Sequence, residues 1–200
     1  DAHCDNDVKN FVLTICSNDP DDKLIEDPDL DFDLITDKKT QHQCLFAACM
    51  FSNDPHLIHR IISVYQIDVN QIETTDCDGD NCLTLACWCN PHLEIIKYLI
   101  NEMGMDQNHT NNNGNNCLTM GCIGNENLEI IKYLINDIGM DQNHTNNNGN
   151  NCLTIGCYGN KNLDIIKYLI NDLEMDQNHT NNGGSDCLML ACYENVNLGI

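Results

Sequence analysis

The residues best suited to chemistry in this chain are its sulfurs and imidazoles, 14 Cys and 8 His in 200 residues. Cys77, Cys82, Cys87 and Cys89 crowd into one short stretch, and thiolates close together are a donor set for zinc, though this spacing matches no finger pattern. Asp76-Cys77-Asp78-Gly79-Asp80 alternates carboxylates like a calcium loop. Its Gly comes too early and no Glu stands at the twelfth position, which leaves a polar turn. Asn108-His109-Thr110, Asn143-His144-Thr145 and Asn178-His179-Thr180 have the wording of glycosylation acceptors. No nucleophile elbow, phosphate loop or acid/base pair stands out. The many Asp and Glu fall in turns and on helix exteriors, where a solvated face is the default, and no catalytic residue or cofactor is implied.

These groups recur at a fixed interval. Cys82-Leu83-Thr84-Leu85-Ala86-Cys87 is followed by Cys117-Leu118-Thr119-Met120-Gly121-Cys122, Cys152-Leu153-Thr154-Ile155-Gly156-Cys157 and Cys187-Leu188-Met189-Leu190-Ala191-Cys192, each 35 residues on. Residues 82–116 and 117–151 agree at 27 of 35 positions, and 117–151 and 152–186 at 26 of 35. A period of this length marks a stacked array. The acceptor tripeptides and the column His109, His144 and His179 are then one module copied three times. Stacked helical units sit about 8–10 Å apart, whereas zinc needs nitrogen ligands within about 2.1 Å, so this column cannot converge on a metal. Cys87, Cys122, Cys157 and Cys192 are likewise too far apart for a disulfide, whose Cα atoms lie about 4.4–6.8 Å apart. Within one copy, positions i and i+5 diverge by about 140° on a helix. Buried, reduced Cys acting as small hydrophobes is the reading these distances leave. It implies a reducing compartment inside a cell and argues against glycosylation.

Composition narrows the partner. A net charge of −22 and a pI near 4.2 oppose binding to nucleic acid, which needs clustered Lys and Arg, and to anionic membrane surfaces. Long-range steering favours basic partners. The 42% apolar content is enough for a core, and no apolar run nears the roughly 18 residues of a membrane span. The chain starts on polar Asp1-Ala2-His3-Cys4-Asp5 without Met or a visible signal peptide, and Ile200 falls within a copy. We expect a fragment of a longer protein.

Each copy reads as two short helices and a turn-rich connection. In 117–151, Cys117 to Cys122 is a short apolar segment broken by Gly124-Asn125-Glu126-Asn127. Leu128, Ile131 and Ile135, with Leu134 beside them, then form a helical stripe. Asn127 is placed to cap that helix, and Glu129 to pair with Lys132 on its wet face. The connection Asp141–Gly149 holds an Asn-Gly turn. Neither helix can stand alone, so stability must come from stacking on neighbours.

The wording resembles the ankyrin repeats. The likeness is carried by Gly114-Asn115-Asn116-Cys117-Leu118-Thr119-Met120-Gly121-Cys122, then Leu128 to Ile135, then Gly139-Met140-Asp141-Gln142-Asn143, and it covers about 44–200. Cys117 replaces the family's helix-opening Pro, Thr119 its His, and Gly121 and Cys122 its Ala pair. The copies from 82 to 186 run to 35 residues each instead of the usual 33, with one extra residue in the inter-helix loop and one before Gly139, and the copy at 44–81 runs to 38. The Asn/Ile/Asp-rich wording also resembles the ankyrin proteins of giant DNA viruses that infect amoebae, which would make the host-cell cytoplasm the setting. The resemblance implies an all-α ankyrin solenoid whose paired antiparallel helices are joined by β-hairpin-like connections. It divides the chain into a degenerate or capping copy at 11–43, copies at 44–81, 82–116, 117–151 and 152–186, and a truncated copy at 187–200. The capping copy rests on Phe11-Val12-Leu13-Thr14-Ile15-Cys16 and Asp31-Phe32-Asp33-Leu34.

Function is expected where the copies disagree. Trp88, Ile123, Tyr158 and Tyr193 share one column, and Cys89, Gly124, Gly159 and Glu194 the next. By the ankyrin likeness this edge and the hairpin tips face a concave binding groove. The tips are Thr110, Asn112 and Asn113; Thr145, Asn147 and Asn148; Thr180, Asn182 and Gly183. Trp and Tyr dominate interface hot spots. The expected function is a non-catalytic protein-binding scaffold whose partner presents basic and apolar patches. Two alternatives stand beside it: the recruiting arm of a larger effector such as a ubiquitin-ligase adaptor, and a metal or redox module built on the Cys.

Overall fold

The computed structural model describes residues 36–70 and 78–194. The degenerate copy's segments at 11–16 and 31–34, Cys77, and the chain end at Ile200 lie outside the described residues. The described residues form helices in strict alternation: α1 (Lys38–Phe51) and α2 (Pro55–Tyr65), α3 (Cys82–Cys89) and α4 (Leu93–Lys97), α5 (Cys117–Gly124) and α6 (Leu128–Lys132), α7 (Cys152–Gly159) and α8 (Leu163–Lys167), then α9 (Cys187–Glu194). No strand occurs among them. The architecture is the all-α solenoid expected from the repeat. α1 starts at Lys38, ahead of the Cys44 taken as the opening of its copy, with Asp37 accepting the Thr40 N–H as its cap.

Each of α3, α5 and α7 begins on an asparagine. Asn81, Asn116 and Asn151 Oδ1 accept the N–H of Thr84, Thr119 and Thr154 at 2.9–3.0 Å. Thr84 and Thr154 accept the cap residue's own N–H in return, so two orphan donors are satisfied reciprocally. The second helices behave as the sequence implies. Asn127 accepts the Glu129 N–H at 3.0 Å, and Lys132 Nζ lies 2.9 Å from Glu129 Oε1 on the exposed side. Leu118, Ile130, Ile131 and Leu134 have no exposed surface, nor do Ile95, Ile96 and Leu99 in the copy before. One apolar core runs through all the described units, so each five- to eight-residue helix is held by its neighbours.

The extra residue before Gly139 has a visible place. After Lys132 the second helix widens into a π-helical turn, Tyr133–Asp137, where the Ile138 N–H donates to the Tyr133 carbonyl at 3.0 Å. The same turn occurs at Tyr98–Glu102 and Tyr168–Asp172. A π turn takes up an inserted residue without breaking the helix. The chain then leaves through a left-handed residue: Gly104 (φ +64°), Gly139 (φ +78°) and, in the copy at 152–186, Glu174 (φ +51°). A side chain in that region costs about 1–2 kcal/mol, partly offset by the entropy that Gly loses on folding. Glu174→Gly should therefore raise the unfolding free energy by up to about 1 kcal/mol, read from a urea midpoint shift.

A buried asparagine closes each of α3, α5 and α7 and ties it to the unit before. Asn125 Nδ2 donates to the carbonyls of Cys87 (2.9 Å) and Asn90 (2.8 Å), while its Oδ1 accepts the Asn127 N–H (2.9 Å). Asn160 repeats this on Cys122, Asn125 and Asn162, and Asn90 on Cys49, Ser52 and His92. All three are at most 2% exposed. The amide side chain, with two donor hydrogens and a carbonyl, acts here as a piece of backbone inserted between units.

Candidate protein-binding groove

The hairpin tips are tied to one another. Asn111 opens a tight turn: the Gly114 N–H donates to its carbonyl at 2.8 Å and its N–H donates to the Asn115 carbonyl at 2.9 Å. Gly114 sits at φ +77°, the bulge position of a three-residue hairpin loop. Each tip then bonds back to its predecessor. The Asn112, Asn147 and Asn182 N–H groups donate to the carbonyls of Asp78, Asn113 and Asn148 at 2.8–3.0 Å. Asn147 and Asn182 Nδ2 reach the Asn112 and Asn147 carbonyls. The histidine column has the same role. His109, His144 and His179 Nε2 lie 2.8–3.0 Å from the carbonyls of Gly79, Gly114 and Gly149. A carbonyl only accepts, so Nε2 carries the proton. The column staples tips together and brings no two imidazoles to a common point.

The expected contact residues are placed as follows. Trp88 and Tyr158 are 40% and 43% exposed, Tyr193 is 81% exposed, and Ile123 is half-buried between its neighbours. Thr110, Thr145, Thr180 and the asparagines Asn112, Asn113, Asn147, Asn148 and Asn182 are exposed, although Asn112, Asn147 and Asn182 also brace the tips. Cys89 is half-buried and turns its thiol to the Leu85 and Met50 carbonyls. The adjacent column is coupled to the aromatic one. A Cβ built on Gly124 would collide with Trp88 Cδ1, and one on Gly159 would stand 3.1 Å from the Ile123 carbonyl oxygen. Trp88 therefore lies over Gly124 of the next unit, and glycine there is what gives the ring its seat.

Between the first hairpin and the first helices lies a cavity of about 600 Å³. Phe46, Met50, Leu85, Trp88, Met120 and Ile123 supply its apolar wall, and Asp78 and Asp80 its charge. Asp80 is 8% exposed and accepts from Asn111 Nδ2 at 3.0 Å. Burial pushes its carboxyl above the usual range, outweighing the hydrogen bonds from Thr84 and Asn111 that lower it. The two carboxylates were missed as site residues, because Asp76–Asp80 reads as a polar turn when weighed only for calcium.

All described cysteines are free thiols, and all but Cys89 and Cys192 are buried. They meet across unit boundaries along a diagonal: Cys49 with Cys82, Cys87 with Cys117, Cys122 with Cys152, and Cys157 with Cys187. Burial raises the Cys44 thiol to about 11 and, with the Cys187 contact, Cys157 to about 12. It pushes Cys49 and Cys87 well up, and for Cys122 the hydrogen bond with Cys152 acts ahead of burial. Cys82 and Cys87 thus face different neighbours, and Cys117 adds a 3.3 Å contact to Met140 Sδ. Among the described residues no three His, Cys, Asp or Glu gather as a metal would require.

A family model described as ankyrin repeats (3 copies) matches residues 45–145 and 120–198. The chain belongs to the ankyrin-repeat family. Ankyrin repeats are generally protein–protein interaction modules and are typically non-catalytic. Among curated proteins no match to the chain is found. Among the described residues, no helix is long and apolar enough to cross a membrane.

Proposed function

We propose that this array is a non-catalytic scaffold that grips a protein partner along the row Trp88, Ile123, Tyr158 and Tyr193 and the neighbouring hairpin tips. The observation that carries this reading is the exposure of Trp88 and Tyr158, 40% and 43%, on a frame whose tips are cross-braced from unit to unit. Rigid aromatic side chains on a fixed support lose little entropy on binding, and such residues carry most of the energy of an interface. The net charge of −22 supports a partner with basic patches around its apolar contacts. The buried thiols support an intracellular, reducing setting. The likeness in wording to giant-virus ankyrin proteins would make that the host-cell cytoplasm.

The test is a titration of the partner, identified by affinity capture with the full-length protein, against single variants. Trp88→Ala or Tyr158→Ala should weaken binding about tenfold or more and leave the helical circular-dichroism signal nearly unchanged. Loss of that signal in both variants would place the row in the core and end the reading.

A further inference from the structure

The copies differ most in charge at one hairpin. Asp78-Gly79-Asp80 has Asn113-Gly114-Asn115, Asn148-Gly149-Asn150 and Gly183-Gly184-Ser185 at the equivalent positions, so the carboxylates occur only at the first tip. They open onto the apolar cavity of about 600 Å³, which no Lys or Arg among the described residues lines. That volume is the size of a ligand pocket and takes a few side chains, not a flat protein surface. Asp80 is nine-tenths buried, and Trp88 forms part of the wall. A carboxylate and an indole lining one cavity suit a guanidinium, which pairs with the first and stacks on the second. The remaining wall, Phe46, Met50, Leu85, Met120 and Ile123, suits an aliphatic or aromatic side chain.

We propose that this cavity is a docking site for an extended peptide segment of the partner, one that inserts an arginine toward Asp78 and Asp80 and an adjacent apolar side chain against the Trp88 wall. The inference rests on the scaffold reading and narrows it to one end of the array and one chemistry. The later units, with amides in place of the carboxylates, supply sequence-tolerant contacts only.

The fold provides its own control. Asn115 Oδ1 accepts from Asn146 Nδ2 at 2.9 Å, as Asp80 Oδ1 does from Asn111 at 3.0 Å, so Asp80→Asn keeps that bond. Asp78 has φ +53°, a conformation that Asn tolerates. The double variant D78N/D80N therefore gives positions 78–80 the Asn-Gly-Asn wording of the next copy and removes the two carboxylates that line the cavity. Fluorescence anisotropy would follow fluorescein-labelled peptides carrying Leu or Trp at several spacings from an Arg, with the matching citrulline peptides. The expected result is an Arg peptide that binds, weakened about tenfold or more both by citrulline and by D78N/D80N, and lost in Trp88→Ala. Equal binding of Arg and citrulline peptides, unchanged affinity in D78N/D80N, or no binding by any peptide would overturn the proposal. Sensitivity of the whole partner to Tyr158→Ala would still stand in each of those cases, which separates this failure from failure of the scaffold reading.

Discussion

Asn125→Ala is expected to lower the unfolding free energy by about 3–5 kcal/mol, at about 1–3 kcal/mol for each buried polar group left without a partner. The side chain is 2% exposed and holds three bonds at once, to the Cys87 and Asn90 carbonyls and from the Asn127 N–H. Its removal orphans two carbonyls in one unit and a backbone donor in the next. Because those groups lie on both sides of a unit boundary, the variant should also broaden the urea transition as the halves of the array uncouple. Equilibrium denaturation followed by circular dichroism measures both effects. A loss below about 1 kcal/mol would mean that water replaces the amide, and that the asparagine ladder does not clamp the units together.

Alkali should unfold the protein far earlier than its acidic surface would suggest. Cys44 and Cys157 are raised to about 11 and 12 in the fold, against about 8.5 for a free thiol. Below about pH 8.5 folded and unfolded chains both keep these protons, and stability does not depend on them. Above it the unfolded chain releases protons that the folded chain retains, so stability falls as pH rises, by about 1.4 kcal/mol per pH unit for each such thiol. The loss continues until pH passes the folded values. Cys49, Cys87 and Cys122 shift in the same direction and add to the slope. Thermal melts under reductant should show a steep fall in Tm from about pH 9 upward, shallower in Cys44→Ala and Cys157→Ala. A flat profile to about pH 10.5 would contradict the burial of these thiols.

The parts of the fold legible in the sequence are those written within one copy. The stripe Leu128, Ile131, Leu134 and Ile135, the Asn127 cap and the Glu129–Lys132 pair depend on residues a few positions apart, and each stands where the spacing puts it. The connections between copies were hidden for a geometric reason. A column comparison sets residues 35 apart side by side, which matches bonds such as Asn125 to Asn90 and Asn147 to Asn112, but many other contacts run askew to it. His144 reaches Gly114 and Asn146 reaches Asn115, 30 and 31 residues back, while Asn125 reaches Cys87, 38 back. The diagonal thiol contacts, such as Cys87 with Cys117, were overlooked in the same way, since only the columns and the spacing within a copy were weighed. At the candidate site the aromatic column was visible because it varies. Its dependence on Gly124 was not, since the ring and its seat belong to different copies.

Most of the inter-unit bonds share a direction, the exceptions being the Gln142 amide on the Leu173 carbonyl and the Asn101 and Asn136 amides on the Tyr133 and Tyr168 hydroxyls. In the Asn125, Asn160, His144, His179, Asn147 and Asn182 contacts, the later unit gives the proton and the earlier one receives it. A chain made from its N-terminus thus presents each emerging unit with acceptors already in place, so assembly on the ribosome can proceed vectorially, one unit at a time. The seams are also interchangeable. A gene duplication that adds one more copy inherits a donor set that fits the unit before it and an acceptor set that fits the unit after. Near-identical neighbours such as 82–116 and 117–151 are what such unequal copying leaves behind, and the array can lengthen without any seam being redesigned.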